Sequence, residues 1–326
     1  MFSRFRPVIS RETISGACCL TGFGRPFGLA ADLQGRYYVA DMDLHCIFRF
    51  DAKLEYFQWL DNVAGWSSPV EVLNGRVQSH KRRKPLDFNG PHSIAVAADG
   101  AMFVTTYYDP GVIMLSSEGS LLKVWGRGED NEPTLAGPAT GVLGANGLLW
   151  VTEYRLNAVF AYDTYTMSLK GALGGGRPGF RENEGFMPGS GACFFDRPHM
   201  ARTDHEGNLI VVDTWNHRLQ KFSPDGEFIG CLGGEKKGWV RTAKSVEASK
   251  SLGAFYAPVS ISFDSHANLV VTDWGNSRLQ WFDAEGRFVA DDYSLPLENP
   301  YDAQIFDGRC VVANSAKGEV YVKSLL

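Results

Sequence analysis

The sequence lacks the features that mark several common protein classes. Its six cysteines show no C-x-x-C spacing, so neither a zinc ribbon nor a thioredoxin-type redox pair is indicated. No apolar run approaches the roughly 18 residues that span a bilayer, and the N-terminus has no apolar segment of secretory length. We therefore predict a cytoplasmic protein with reduced thiols and no membrane partner.

The sequence also lacks the local motifs of common enzyme classes. No G-x-S-x-G, P-loop or H-E-x-x-H motif occurs in the 326 residues. Lysine and arginine together number 32 against 37 acidic residues, and the net charge of −5 argues against a surface built for nucleic acid. Any chemistry must therefore come from side chains that the fold brings together.

What the sequence does contain is a repeat. The stretch VVDTWNHRLQKF (211–222) returns as VTDWGNSRLQWF (271–282), with Asp, Asn, Arg, Leu, Gln and Phe in the same positions. Six units each begin at a proline and reach a polar residue at the end of a β-rich run. The prolines are Pro26, Pro91, Pro138, Pro198, Pro258 and Pro300, and the polar residues are Asp41, Thr106, Glu153, Asp213, Asp273 and Asn314. Turn residues between them, mostly glycine, predict a hairpin in every unit.

Each unit continues into two more predicted strands. Turns such as S-P-D-G (223–226) and D-A-E-G (283–286) separate them, and four antiparallel strands per repeat are typical of a propeller blade. The sixth unit stops at Leu326 after its third strand, so we predict that Ile14 to Leu20, within a closing segment of residues 1–25, complete it. The predicted fold is all-β: a six-bladed propeller of four-stranded antiparallel blades, in a single domain of residues 1–326.

The repeat resembles a known family. The pattern F-x-x-P, D-x-x-G, V-x-D and N-x-R-[LI]-Q-x-F is similar to the NHL repeat, and Asn216-His217-Arg218 carries its N-H-R core. The likeness covers essentially the whole chain and is strongest at 195–232 and 255–289. It implies a six-bladed propeller, a fold that hosts binding proteins and enzymes alike.

Polar residues that recur in every blade are predicted to support the loops. Asp213, Asn216 and Arg218, with their counterparts in the next repeat, have the chemistry to satisfy turn backbone and nearby carboxylates. The hairpin geometry also places the residue after each proline and the polar residue opposite it at one rim of the central axis, where we predict a ligand site. The predicted ligand-binding residues are Glu153, Tyr154, Asp213, Trp215, Asp273 and Trp274.

Two histidines stand out at this rim. His92 and His199 each follow the proline of their unit, two blades apart, so both imidazoles could meet a common ion with a carboxylate such as Glu153 or Asp302. Zn²⁺ or a similar divalent metal suits that ligand set. Histidines that contact a ligand without metal, or that only hydrogen-bond a neighbouring blade, fit the same pattern.

The histidine layout resembles the peptidyl-hydroxyglycine amidating lyases, NHL-like enzymes that bind zinc with histidines from alternate blades. On that resemblance the third ligand position falls at Tyr301, and Asp302 matches the acidic residue that follows it. The catalytic arginines of those lyases have no counterpart at Met42 and Thr214.

Three functions follow in order. The first is a binding module that uses the polar rim for a small ligand or a partner protein, since no full catalytic motif accompanies the complete repeat. The second is a metal-dependent lyase or hydrolase, in which His92 and His199 hold the ion and Tyr107, Tyr301 or Asp302 serves in catalysis. RNA binding is third, because the acidic rim opposes it.

Overall fold

The predicted all-β architecture is confirmed. The computed structural model describes residues 7–61, 65–81, 89–127, 134–144, 147–166, 168–181, 186–234, 238–242, 246–292 and 294–325. These residues form six sheets, and their helical structure is limited to the 3-10 turns Thr214–Asn216, Trp274–Asn276 and Ser315–Lys317. No helix within those ranges is long and apolar enough to cross a membrane.

Each sheet is one blade, and its first strand along the chain lies nearest the central channel in all six. Blade 1 contains Pro26–Ala31, Tyr37–Asp41, Cys46–Phe50, Tyr56–Leu60 and Val70–Glu71; blade 2 contains Pro91–Val96, Met102–Thr106, Gly111–Leu115 and Leu121–Trp125; blade 3 contains Pro138–Leu143, Leu148–Glu153, Ala158–Asp163, Leu169–Gly174 and Arg177–Arg181. Blade 4 contains Met200–Thr203, Leu209–Asp213, Arg218–Phe222 and Phe228–Leu232; blade 5 contains Pro258–Phe263, Leu269–Asp273, Arg278–Phe282 and Phe288–Asp292; blade 6 contains Asp302–Phe306, Arg309–Asn314, Glu319–Ser324, Ala17–Thr21, Ser10–Ile14 and Leu73–Asn74.

The core consists of apolar layers between neighbouring blades. Successive residues of a strand point to opposite faces, so Val211 packs toward blade 3 while Val212 packs toward blade 5. The inner strands of adjacent blades contact each other around the ring, and the inner strand of blade 6 contacts that of blade 1. The blades therefore enclose one central channel.

The N-terminal strand closes the ring, as predicted. Ala17–Thr21 pairs antiparallel with Glu319–Ser324, and Cys19 packs toward blade 5 while Cys18 packs toward blade 1. The predicted start of this strand at Ile14 was three residues early. Ser15 and Gly16, with φ of 50° and 76°, form a two-residue hairpin turn that separates Ser10–Ile14 as a further strand.

Three blades are wider than the four strands predicted. Val70–Glu71 extends blade 1, Arg177–Arg181 extends blade 3, and blade 6 gains Ser10–Ile14 and Leu73–Asn74. These strands come from the N-terminus and from the segments between blades, where the repeat pattern is absent. They cover outer edges that would otherwise offer unpaired backbone groups.

Candidate functional site

A cavity of about 280 Å³ lies at the channel end where the first strand of each blade begins. We call it the rim cavity. It is lined by Arg25, Phe27, Met42, His92, Tyr107, Tyr108, Ala139, Tyr154, His199 and Tyr301. Five of the lining residues come directly after the repeat prolines, because that position is the first of the inner strand and faces the axis. The sequence-based placement of His92, His199 and Tyr301 at one site is thus what the geometry gives.

The two histidines meet the tyrosine of blade 6. The hydroxyl of Tyr301 lies 2.9 Å from Nε2 of His199 and 3.5 Å from Nε2 of His92. The ring centres of the two imidazoles are 5.2 Å apart. Nδ1 of His92 lies 2.6 Å from the carbonyl oxygen of Ala139, the equivalent position in the next blade. All three side chains are therefore held from the inner strands rather than from loops.

Burial keeps these groups uncharged. It lowers the pKa of His92 to about 4, although the hydrogen bond to the Ala139 backbone opposes the shift. It also lowers the pKa of His199 well below the usual imidazole value, with the nearby His92 acting in the same direction. Burial raises the pKa of the Tyr301 phenol. At neutral pH the cavity floor thus presents two neutral imidazoles and a protonated hydroxyl.

Aromatic rings form the walls. Phe27 stacks on Tyr301 with ring centres 3.7 Å apart, and Tyr107 lies nearly parallel to His92 at 5.7 Å. At the mouth, the indole N–H of Trp215 donates to the hydroxyl of Tyr154 at 3.1 Å. Tyr107, Tyr154 and Trp215 were predicted at this rim, and the structure places the two tyrosines in the cavity wall and the half-exposed tryptophan beside it.

Three arginines around the cavity were missed from the sequence. Arg25 lines the cavity and pairs with Asp43 at 2.7 Å. The guanidinium carbons of Arg155 and Arg197 lie 5.4 Å from the ring centre of Tyr107 and 5.7 Å from that of Tyr154, respectively. The dipeptide Arg-Pro in units one and four was the available signal, because the residue before the proline sits at the same rim. The predicted acidic rim is therefore basic and aromatic around this cavity.

The recurring polar residues do not line the rim cavity. Glu153, Asp213 and Asp273 are fully buried, and each accepts the backbone N–H two residues before the proline of its own blade. Burial raises the pKa of all three, while backbone and side-chain donors oppose the shift. The structure thus places them in the loop-supporting role that their recurrence indicated, away from the ligand position also considered for them.

The network around Asp213 shows how fully these groups are used. Its carboxylate accepts Nε of Arg218 at 2.8 Å, and Asn216 and Gln220 donate to the same oxygens. Asp273 repeats the arrangement with Arg278, Asn276 and Gln280 in blade 5. Trp274 belongs to the 3-10 turn after Asp273 and is not part of the cavity lining.

Asp302 also points away from the histidines. It lies deeper in the channel, where Oδ1 accepts hydrogen bonds from Ser260 at 2.6 Å and Gln304 at 2.7 Å, and Oδ2 accepts from the backbone of Leu29 at 2.9 Å. Burial raises its pKa, and these donors oppose the shift. Neither of the carboxylates considered as partners for His92 and His199 reaches them.

The donor set was compared with the needs of a metal. A catalytic zinc site normally has three protein ligands. Across the ranges that the structure describes, no group of three or more His, Cys, Asp or Glu side chains is placed to hold an ion. In the rim cavity the third position of the histidine pair is a phenol, Tyr301, that already contacts both imidazoles. The residues present therefore offer two of the ligands that zinc requires.

Comparison with known proteins agrees with the repeat. Residues 195–222 match the NHL repeat family. Over 275 residues the chain is 24% identical to Protein SUPPRESSOR OF QUENCHING 1, chloroplastic, of Arabidopsis thaliana, covering 80% of the chain and 25% of that protein. Over 148 residues it is 32% identical to Peptidyl-glycine alpha-amidating monooxygenase B of Xenopus laevis, covering 44% of the chain and 15% of that protein. The chain thus spans a quarter or less of these relatives.

Solved structures share the fold at low sequence identity. Virginiamycin B lyase from Staphylococcus aureus superposes with a TM-score of 0.59 at 12% identity, covering 98% of this chain and all of that one. Kuenenia stuttgartiensis hydrazine synthase gives a TM-score of 0.57 at 12% identity, over 93% of this chain and 96% of that one. At such identities the likeness concerns the fold. The chain is a six-bladed β-propeller that carries an NHL repeat at residues 195–222.

Proposed function

We propose that the protein is a ligand-binding propeller whose rim cavity takes a small planar molecule bearing a hydrogen-bond donor. The observation that carries the proposal is Nε2 of His92. Its ring donates from Nδ1 to the Ala139 carbonyl, because a carbonyl oxygen can only accept, and the ring is neutral at physiological pH. Nε2 is therefore an acceptor. Tyr301 lies 3.5 Å away, beyond the ordinary length for an O–H donor, and is closer to His199.

The walls favour a planar ligand of limited size. Aromatic side chains supply flat, polarisable surfaces against which rings stack. The volume of about 280 Å³ is near the lower end of typical small-molecule pockets, and the cavity is recessed below Tyr107, Tyr108 and Tyr154. Such a recess suits a small molecule better than the flat surface of a partner protein. Location in the cytoplasm, and the absence of nucleic-acid and membrane partners, stay predictions from the sequence.

The test uses two probes that differ in one donor. p-Cresol offers an aromatic ring and a hydroxyl proton, whereas 4-methylanisole keeps the ring and lacks the proton. Titration calorimetry on the wild type should show p-cresol binding about tenfold more tightly, as one additional hydrogen bond implies. His92→Leu should abolish that preference, and His266→Leu, on an exposed turn, should keep it. Equal affinities in the wild type, or a preference that survives in His92→Leu, would contradict the proposal.

The metal-dependent lyase or hydrolase is the second reading of the same residues. The close contact between Tyr301 and His199 supports it, since a phenol and an imidazole at 2.9 Å can exchange a proton. Elemental analysis of tag-free protein distinguishes the two. Stoichiometric zinc or another divalent metal in the wild type, lost in both His92→Leu and His199→Leu with the fold intact, would make the lyase or hydrolase the leading function.

A further inference from the structure

A second cavity, of about 160 Å³, lies further along the central channel. We call it the channel cavity. Most of its wall is apolar and comes from the inner strands, with Leu29, Val96, Val142, Leu143 and Phe306 among the lining residues. Three polar side chains interrupt that wall: Arg202, Asp302 and Gln304.

Arg202 enters the channel without a hydrogen-bond partner. Its Nε is shielded from solvent and unpaired, and no group among the described residues accepts a hydrogen bond from its guanidinium. Arginine keeps its charge in proteins, so the unpaired group is a cation in an apolar wall. Burial lowers the pKa of Arg202, and the charge of Asp302 opposes the shift.

The nearby carboxylate does not neutralise this cation directly. Among the described residues lining the channel cavity, Asp302 is the one other charged side chain. Both of its oxygens are occupied by donors other than Arg202: Ser260 and Gln304 on one, the backbone of Leu29 on the other. The five N–H donors of the guanidinium are therefore free to meet an anion.

Gln304 supplies a second, independent indication of a ligand. The side chain is fully buried, and its Nε2 donates to Asp302 at 2.7 Å. That bond fixes the amide orientation and leaves Oε1 buried without a partner, an arrangement that native structures seldom leave unsatisfied. The channel cavity thus combines an unpaired donor group, an unpaired acceptor and an apolar wall.

We propose that the channel cavity binds a short-chain hydroxycarboxylic acid. The carboxylate meets the fork of Arg202, which matches its planar geometry, and a hydroxyl on the chain donates to Oε1 of Gln304. The carbon chain lies against Leu29, Val142 and Phe306. This site is separate from the rim cavity and does not depend on the function proposed there.

The test follows Arg202 itself. Nitrogen-15-labelled full-length protein is titrated with 3-hydroxybutyrate while the arginine Nε–Hε resonances are recorded, and Arg202→Met assigns the Arg202 signal by its disappearance. We expect a saturable shift of that signal with 3-hydroxybutyrate. Butyrate, which lacks the hydroxyl, and 3-hydroxybutyramide, which lacks the charge, should each bind at least tenfold more weakly.

Two variants separate this site from the rim cavity. Arg202→Met should abolish saturable binding of 3-hydroxybutyrate by calorimetry and, without the acid, should melt at a higher temperature than the wild type because a buried unpaired cation is gone. Arg25→Gln, which alters the rim cavity, should bind as the wild type does. Arg202→Lys keeps the charge but loses the fork, so it should bind more weakly; it carries the test if Arg202→Met does not fold.

Three results would overturn the proposal. The first is a shift of the Arg202 signal that does not saturate or that chloride reproduces at equal concentration. The second is an amide that binds as tightly as the acid. The third is wild-type affinity in either Arg202 variant.

Discussion

Acidification from pH 7 to pH 5 should destabilise the fold through His92. The imidazole is buried and its pKa is lowered from 6.5 to about 4. The unfolded chain therefore takes up a proton near pH 6.5, while the folded chain does so only near pH 4. Protons favour the unfolded state in this interval, so the contribution of His92 is complete above pH 6.5 and is lost as the pH falls toward 4.

The size of the effect follows from these two values. Linkage between pKa 6.5 and a folded pKa of about 4 gives a loss of about 2 kcal/mol between pH 7 and pH 5 for this one group. His199 acts in the same direction. The buried carboxylates of Asp213 and Asp302 act oppositely, because their raised pKa values make protonation favour the folded state. The total pH profile is thus a sum, and a variant is needed to isolate His92.

His92→Asn isolates it, because asparagine keeps a donor for the Ala139 carbonyl and does not titrate. Urea unfolding is measured at pH 7 and pH 5 in the wild type, His92→Asn and the control His266→Asn, whose side chain is exposed. The loss on acidification should be about 2 kcal/mol smaller in His92→Asn than in the wild type, and unchanged in the control. Carbon-13 NMR of the His92 ring gives the folded pKa directly. The reasoning is refuted if His92→Asn and the wild type lose the same free energy, or if the ring titrates near pH 6.5.

Three further predictions concern stability and the thiols. Deleting residues 1–22 removes Ala17–Thr21 and exposes the edge of Glu319–Ser324, so the protein should aggregate or melt far below the full chain, and a truncated protein with an unchanged melting curve would contradict closure by this strand. Asp213→Ala leaves Arg218 buried and uncompensated and should cost about 3–5 kcal/mol in urea unfolding, whereas Glu285→Ala, in an exposed pair with Arg287, should cost under about 1 kcal/mol; equal costs would refute the difference in burial. Burial raises the pKa of Cys193 and Cys231 to about 11, so a thiol reagent at pH 8 should label the partly exposed Cys18 before either of them in the folded protein, and the reverse order would contradict their burial.

The repeat made the architecture readable from the sequence. Proline, turn glycine and polar residue recur with nearly constant spacing, and each local signal agrees with the same hairpin, so six blades could be counted without knowing any contact. The register follows as well, since Pro26 pairs with Asp41 and Pro258 with Asp273 as that spacing requires. The extra edge strands could not be counted, because they come from segments without the repeat and depend on which blade edge lies nearby.

The site was determined from the sequence only in part. Ring symmetry brings positions that follow the prolines to one rim, so the meeting of His92, His199 and Tyr301 could be expected from a shared place in the repeat. Which way a side chain points was a different matter. Glu153 and Asp302 each sit beside a rim residue in the chain, yet tertiary hydrogen bonds turn one toward a loop and the other deeper into the channel. Sequence spacing fixes where a backbone position lies in a repeating fold, whereas the partners that satisfy a buried polar group come from other blades, and only the folded structure brings them together.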